Sequence, residues 1–514
     1  MLTYITRRVL ASLMILLGAS FIVYMLVAYS GDPLAEIRST NSPSKEAQLQ
    51  ARTEMLNLNV PPALRYFLWL GGAAKCLVPF AGECDLGVTL QNQPVTAALS
   101  QAIPTTLQLV TTAALLAIVL GISIGIVTAL RQYSTLDYGV TFVSFLFFSL
   151  PVFWVAVLLK EFGAIGFNDF LRDPFIATTT IVVVSLIAAL LWTVLLAGSW
   201  RRRLITFAAA FAATFAVMYF LSVTRWFSDP SLGVVVIGLT GVAIAFGATT
   251  LFAGLRNRKA LYASLTTVGL GVVAYFVLQP IFESNASLWL ILGLLVLSLG
   301  AAWGIGHAFG GYDRGQSRKA AMLTSFGMGA LVLLDQFMQH WAEYTTNSKV
   351  RGRPIATIGA ETPNLNGDFW LTGIDKYTHL ILPTVALILI SLASYTRYSR
   401  ASMLEVMGQD YVRTARAKGL SERVVVTRHA FRNALIPLAT IVAIDIGALI
   451  GGAVITESVF SFKGMGVLFL NGVRGIDPNP VMGVFLVTAI TAVVFNLLAD
   501  LTYSALDPRV RVKA

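Results

Sequence analysis

Gln409-Asp410-Tyr411-Val412-Arg413-Thr414-Ala415-Arg416-Ala417-Lys418-Gly419-Leu420-Ser421-Glu422-Arg423 separates two apolar runs, one ending near Tyr398 and the other beginning near Ala434. Each run is long enough to cross a hydrocarbon layer about 30 Å thick, so the stretch between them is a loop at a membrane surface. Its excess of Arg and Lys places it on the cytoplasmic side. The pattern reads as a basic helix-turn-helix. Ala415 and Ala417 carry little bulk, so a foreign protein surface could approach the helix backbone. Gly419 suits the left-handed conformation that ends one helix and turns into the next, and Ser421 is placed to cap the helix that follows. One reading is a socket for another protein. The plainer one is a solvated basic loop that merely obeys the topology rule.

Working outward, the whole chain fits a membrane setting. It has 514 residues, 56% hydrophobic and only 12% charged, with mean hydropathy +0.74, which excludes an ordinary water-soluble domain. The net charge of +11 would suggest nucleic acid in a soluble protein. Here the cations recur in short loops between apolar runs, and membrane orientation explains them without nucleic acid. Arg7 and Arg8 precede a first apolar run, Val9 to Tyr29. That run is longer than the apolar part of a secretory signal and no cleavage site stands out, so it is expected to remain as a first membrane helix.

Twelve crossings are expected, near residues 9–30, 104–130, 138–160, 176–198, 204–223, 232–254, 260–281, 288–309, 320–340, 379–399, 434–456 and 480–503. The fold class is therefore all-α and polytopic, with both termini cytoplasmic. Starting inside, alternate loops hold Arg131, then Arg201 to Arg203, then Arg256, Arg258 and Lys259, then Arg314, Arg318 and Lys319, then the opening stretch. The opposite loops are more acidic. Two of them are long, 31–103 and 341–378, and either could dock a protein or cap the bundle. Trp192, Trp200, Trp226, Trp289 and Trp303 near span ends read as interfacial anchors.

The chemistry on display is sparse. No Gly-x-x-x-x-Gly-Lys-Ser/Thr phosphate loop occurs, so ATP hydrolysis is not expected of this chain, and no enzyme activity or bound cofactor is either. His307, His340, His379 and His429 are scattered, so no metal site is expected. Cys76 and Cys84 share the long outside loop, where either a disulfide or two free thiols would serve. Asp445 falls about 12 Å into its span, where an acid is costly and faces either a polar path or a hydrogen-bond partner on a neighbouring helix. Gly121, Gly125, Gly447, Gly451 and Gly452 read as close helix packing.

The opening stretch resembles the EAA loop of the permease subunits of bacterial ABC importers, in the dipeptide, oligopeptide and nickel branch. Arg413-Thr414-Ala415 stands where the motif has Glu-Ala-Ala, and Gly419 is the glycine four residues past the last alanine. The closing proline of the general motif comes later here, at Pro437, a departure that this branch shares. Further segments fall in the family's order: Thr6-Arg7-Arg8, Ser30-Gly31-Asp32-Pro33, Asp85-Leu86-Gly87, Pro104-Thr105-Thr106-Leu107, His379 to Pro383, Thr396 to Arg400 and Leu506-Asp507-Pro508-Arg509. The resemblance covers roughly 1–160 and 365–514. It implies a six-helix permease core, 1–160 and 346–514, interrupted by about six inserted membrane helices in 161–345.

The same resemblance implies an importer of dipeptides or oligopeptides in a bacterial inner membrane. The partners would be a second related permease, two ATP-binding-cassette ATPase domains carrying ATP and Mg²⁺, and an extracytoplasmic peptide-binding protein. Arg413 to Gly419, Ser421 and Arg423 would couple to the ATPases. Nickel or another small solute is an alternative cargo, and an ion-driven secondary transporter or a membrane scaffold is an alternative class.

Overall fold

The computed structural model describes residues 2–77, 82–196 and 198–506, so the terminal Leu506-Asp507-Pro508-Arg509 segment falls almost wholly outside them, as do the surroundings of Arg423, Gly451 and Gly452. The described residues are helical apart from turns and one isolated bridge between Val88 and Pro94. Among the described residues, eleven helices are long and apolar enough to cross a membrane, or twelve when one bent pair counts as a span. The chain is thus an all-α, multi-pass membrane protein.

The bent pair corrects the expected crossing at 138–160. Helix Thr135–Ser149 stops and the chain turns by 101° into Val152–Arg172. Leu150 is extended (φ −81°, ψ 130°) because the ring of Pro151 disfavours helical backbone in the residue before it, and Pro151 itself has no N–H to continue the ladder. The run from Leu159 to Gly166 is then wound as π-helix. The expected span at 434–456 is also shorter, since the helix from Phe431 ends at Gly452 and a new short one, Val454–Val459, follows.

The chain divides into two compact units, one of Met1–Ala164, Thr357–Ala360 and Leu380–Ala514, the other of Ile165–Ala356 and Glu361–His379. Helix Phe369–Met407 begins in the second and ends in the first. The seam therefore falls later than residue 346. Buried Asp375 accepts hydrogen bonds from the Tyr344 hydroxyl (3.0 Å) and the Thr362 backbone (2.8 Å), and Trp370 donates to the Phe282 carbonyl (3.0 Å). Those bonds hold the first turns of that helix to the rest of the second unit.

In the first unit the long helices Val95–Leu130 and Phe369–Met407 lie backbone to backbone. A Cβ on Gly121 would come within 2.6 Å of the Tyr395 Cβ, and one on Gly125 within 2.6 Å of the Thr396 carbonyl. This is the small-residue packing expected of Gly121 and Gly125. Gly447 packs on Ala492 of the last long helix. Helix Pro62–Leu77 covers one end, with Tyr66, Trp69 and Ala73 buried among Tyr24, Leu86, Val95, Met465 and Met482. The 31–103 loop therefore caps its bundle, and Cys76 and Cys84 within it are joined by a disulfide.

The second unit holds six membrane-length helices: Thr178–Leu196, Trp200–Val223, Gly233–Phe252, Arg258–Asn285, Leu288–Phe309 and the run through Arg314–Gln339. A polar knot forms where helix Gly233–Phe252 begins and helix Arg314–Gln339 ends. Buried Asp335 accepts from Leu232 N–H, Tyr275 O–H (2.9 Å) and Gln339 Nε2 (2.7 Å), and Gln336 donates to Gln279 (2.7 Å). Every bond to the carboxylate comes from the bundle itself, as burying an acid in lipid requires.

Candidate functional site

The loop after Met407 opens with helix Asp410–Ala417. Lys418 closes that helix, and Gly419 then takes φ +75° with open space where a Cβ would stand. The turn is thus made by the residue read for it, and the constraint is backbone conformation rather than room. Ser421 sits at the start of the next helix with extended backbone (ψ 144°), but its side chain makes no capping bond. Its carbonyl instead accepts from Val424 (2.8 Å) and Val425 (3.0 Å). The following helix is α over Glu422–Val424 and π over Val425–Ala430.

Ala415 is not presented outward. It is 5% exposed and packs with Val412 and Val425, so its small side chain lets the two arms of the loop close on each other. Ala417 is exposed. Arg416 reaches across the turn in a two-pronged ion pair, Nη2 to Glu422 Oε1 at 2.7 Å and Nε to Oε2 at 3.1 Å. The guanidinium holds the Glu422 carboxyl below its usual range, and the carboxylate raises Arg416 in turn. Asn433 closes the base by donating to the Tyr411 hydroxyl (2.9 Å). Arg413 meets exposed Asp410 at 3.7 Å, while Lys418 and Arg428 are exposed.

The loop is seated on the transmembrane helices. Ala129, Met403, Ala430 and Ala434 form a buried cluster at its base, and Ser402 Oγ donates to the Ala434 carbonyl (2.9 Å). One turn further in, Arg400 grips buried Asp137 through two bonds of 2.8 and 2.9 Å. Arg397 lies 3.9 Å over the Phe148 ring. The loop is thus packed on helices Val95–Leu130, Phe369–Met407 and Phe431–Gly452 at once.

Asp445 is half-buried and accepts a bond of 2.6 Å from the Tyr395 hydroxyl of the neighbouring helix. That bond joins its helix to Phe369–Met407. At the far end of the Phe431–Gly452 helix lies a feature missed in the sequence. Glu457 is fully buried, accepting from Thr106 Oγ1 (2.7 Å) and Val467 N–H (3.1 Å), while Thr106 accepts from Met465 N–H (2.8 Å). Together they satisfy orphan donors at the start of helix Met465–Gly475. Burial with no cation beside it pushes the Glu457 carboxyl up. A Cβ on Gly464 would collide with that carboxylate, so the acid between Thr456 and Ser458 followed by Gly464-Met465-Gly466 was the available signal. Past the other end of helix Met465–Gly475, buried Asp477 accepts from Leu90 N–H (3.0 Å) and Asn479 N–H (3.1 Å). Burial raises its carboxyl to about 6.

Residues 272–512 match the family model described as binding-protein-dependent transport system inner membrane component. An oligopeptide transport system permease protein of Mycobacterium bovis is 36% identical over 214 residues, 41% of this chain and 64% of that protein. One from Bacillus subtilis is 24% identical over 511 residues, 99% of each chain. A dipeptide transport system permease protein of Escherichia coli is 44% identical over 140 residues, 27% of this chain and 41% of its own length. The chain thus spans 64% of the length of the Mycobacterium relative it matches.

Proposed function

We propose that this chain, residues 272–512 of which match the family of binding-protein-dependent transport system inner membrane components, is the permease subunit of an ATP-binding-cassette importer that carries dipeptides or oligopeptides into the cytoplasm. The observation that carries the reading is the loop. Two arms folded on Ala415, turned at Gly419 and stapled by Arg416 and Glu422 form a compact knob on the ends of the core helices. That knob is shaped to fit a cleft on a separate ATPase, with Arg413, Lys418 and Arg428 at its rim. ATP and Mg²⁺ bind on two such ATPase domains, and this chain holds no cofactor and hydrolyses nothing. A second permease completes the path, and an extracytoplasmic receptor delivers peptide to the capped face. The termini lie in the cytoplasm with the knob. ATP favours one state of the path by binding the closed ATPase pair more strongly than the open one.

The six-helix core is 1–160 and 346–514, and 161–345 is an accessory bundle. In support, 214 residues amount to 64% of the Mycobacterium relative, so that protein is about 330 residues long against 514 here. An even number of added spans leaves the knob on its original side. The test is ATP hydrolysis by the complete transporter in lipid vesicles, with a dipeptide, a pentapeptide or Ni²⁺ supplied with the receptor. Stimulation by the peptides is expected. Stimulation by Ni²⁺ alone reassigns the cargo, and hydrolysis indifferent to every solute contradicts the importer reading.

A further inference from the structure

In the inserted bundle, the turn between helices Gly233–Phe252 and Arg258–Asn285 and the turn between Leu288–Phe309 and Arg314–Gln339 meet at one end. Asn257 Nδ2 donates to Asp313 Oδ2 across them (3.1 Å). The approach is forced by small residues. Ala263, Ala302 and Ala321 are fully buried against one another, and a Cβ on Gly306 would come within 2.5 Å of the Arg318 Cα.

The two turns joined by Asn257 and Asp313, with the first residues of the helices that follow them, carry Arg258, Lys259, Arg314, Arg318 and Lys319 against one carboxylate, Asp313, which Asn257 already engages. None of the five forms an ion pair among the described residues. Lys259 folds back over the second turn, its nitrogen 3.1 Å from where a Gly311 Cβ would be. Arg318 lies 5.3 Å over the exposed Trp303 ring, and its Nε donates to the Arg314 carbonyl (3.2 Å). Its terminal nitrogens are left without a carboxylate. An indole at the water boundary and unneutralised cations just beyond it match the depth of a phospholipid headgroup.

We propose that this end of the inserted bundle binds the phosphate of an anionic phospholipid, held by Lys259, Arg314 and Arg318, with its acyl chains along the apolar flank below Trp303. Orientation by positive charge alone asks only for cations near the membrane, as at Arg201 to Arg203. It does not ask for three helices drawn together to concentrate them, or for a guanidinium held on an indole.

The test is native mass spectrometry of the full chain titrated with phosphatidylglycerol, phosphatidylcholine or inorganic phosphate. The first phosphatidylglycerol is expected to bind at least about tenfold more weakly to K259Q/R314Q/R318Q, since each cation near the surface contributes on the order of 1 kcal/mol. R201Q/R202Q/R203Q should stay within about twofold of the parent. The single variant R318K keeps the charge and loses the stacked plane, and an intermediate loss is expected, which keeps the test decisive if the triple variant does not fold. Equal losses in both triple variants, equal binding of phosphatidylcholine, displacement by millimolar phosphate or an unchanged R318K would each overturn the assignment.

Discussion

Gly419 is the residue whose role is read most directly from its type, because a left-handed turn two residues past a helix leaves few alternatives. Valine there would meet no neighbour, yet β-branched side chains are strongly disfavoured at φ +75°. Gly419→Val should lower peptide uptake at least about tenfold with unchanged amounts in the membrane, a cost of at least roughly 1.4 kcal/mol in coupling. Immunoblots of membranes beside transport rates check it. Arg416 was legible as a cation but not as a staple, since its partner Glu422 lies beyond the turn. The pair is exposed and contributes about 0.2–1 kcal/mol to stability. The Glu422 carboxyl is lowered, so that contribution is present above its unfolded value near 4.5 and is lost as pH falls through the lower folded value. The swap Arg416→Glu with Glu422→Arg should keep the staple. Transport lost in the swap would assign Arg416 a contact with the ATPase, whereas full transport would confine it to holding the turn. Ala415 was misjudged because smallness has two uses, and sequence does not say whether the close approach is made by a partner or by the loop's own second arm.

Among elements, long apolar helices were legible from length and hydropathy alone. Their breaks were not, because each depends on a few local groups. The Ser149-Leu150-Pro151 bend lies inside an otherwise apolar run, and the π-helical turns at 159–166 and 425–430 contain polar residues but no proline to mark them. Helix Met465–Gly475 starts where Thr106 and Glu457 supply acceptors, and those two residues are 351 positions apart. Glu457→Ala strands both donors in a buried site. Thermal unfolding of the purified chain should show a loss of about 2–4 kcal/mol, with Glu457→Gln costing less because one acceptor oxygen survives. Asp477 ties the start of the last long helix to the turn at Leu90. Its folded value of about 6 exceeds the unfolded 3.8, so the folded state holds the proton longer. The stability it contributes is fully present below about 4 and is lost as pH rises through 6. Going from pH 7 to pH 5 should therefore stabilise the fold by about 1 kcal/mol by removing a buried charge, and Asp477→Asn should flatten that part of the stability profile.

At the scale of the molecule, two compact units share one chain, and the sequence resemblance led to the expectation of an insertion because recognisable segments stop before 161 and resume after 345. The seam at His379 was not legible. It is set by where Trp370 and Asp375 find partners, not by where the resemblance resumes. Trp370 is fully buried, edge-on to Phe282 (5.7 Å) and Phe337 (5.0 Å) and stacked on His340 (5.6 Å). Trp370→Ala should cost about 3–5 kcal/mol in thermal unfolding. Excising 161–345 should do more harm than its accessory status suggests, since residues 361–379 would lose the partners that bury them.

The most direct measurement is uptake of labelled dipeptide by cells lacking this chain, complemented with the intact protein or with Gly419→Val, under ATP depletion or with the proton gradient collapsed. The expected result is uptake restored by the intact chain alone, abolished by ATP depletion and largely indifferent to loss of the gradient. Uptake that survives ATP depletion but vanishes with the gradient, or that runs normally in Gly419→Val, would contradict an ATP-coupled permease working through this loop.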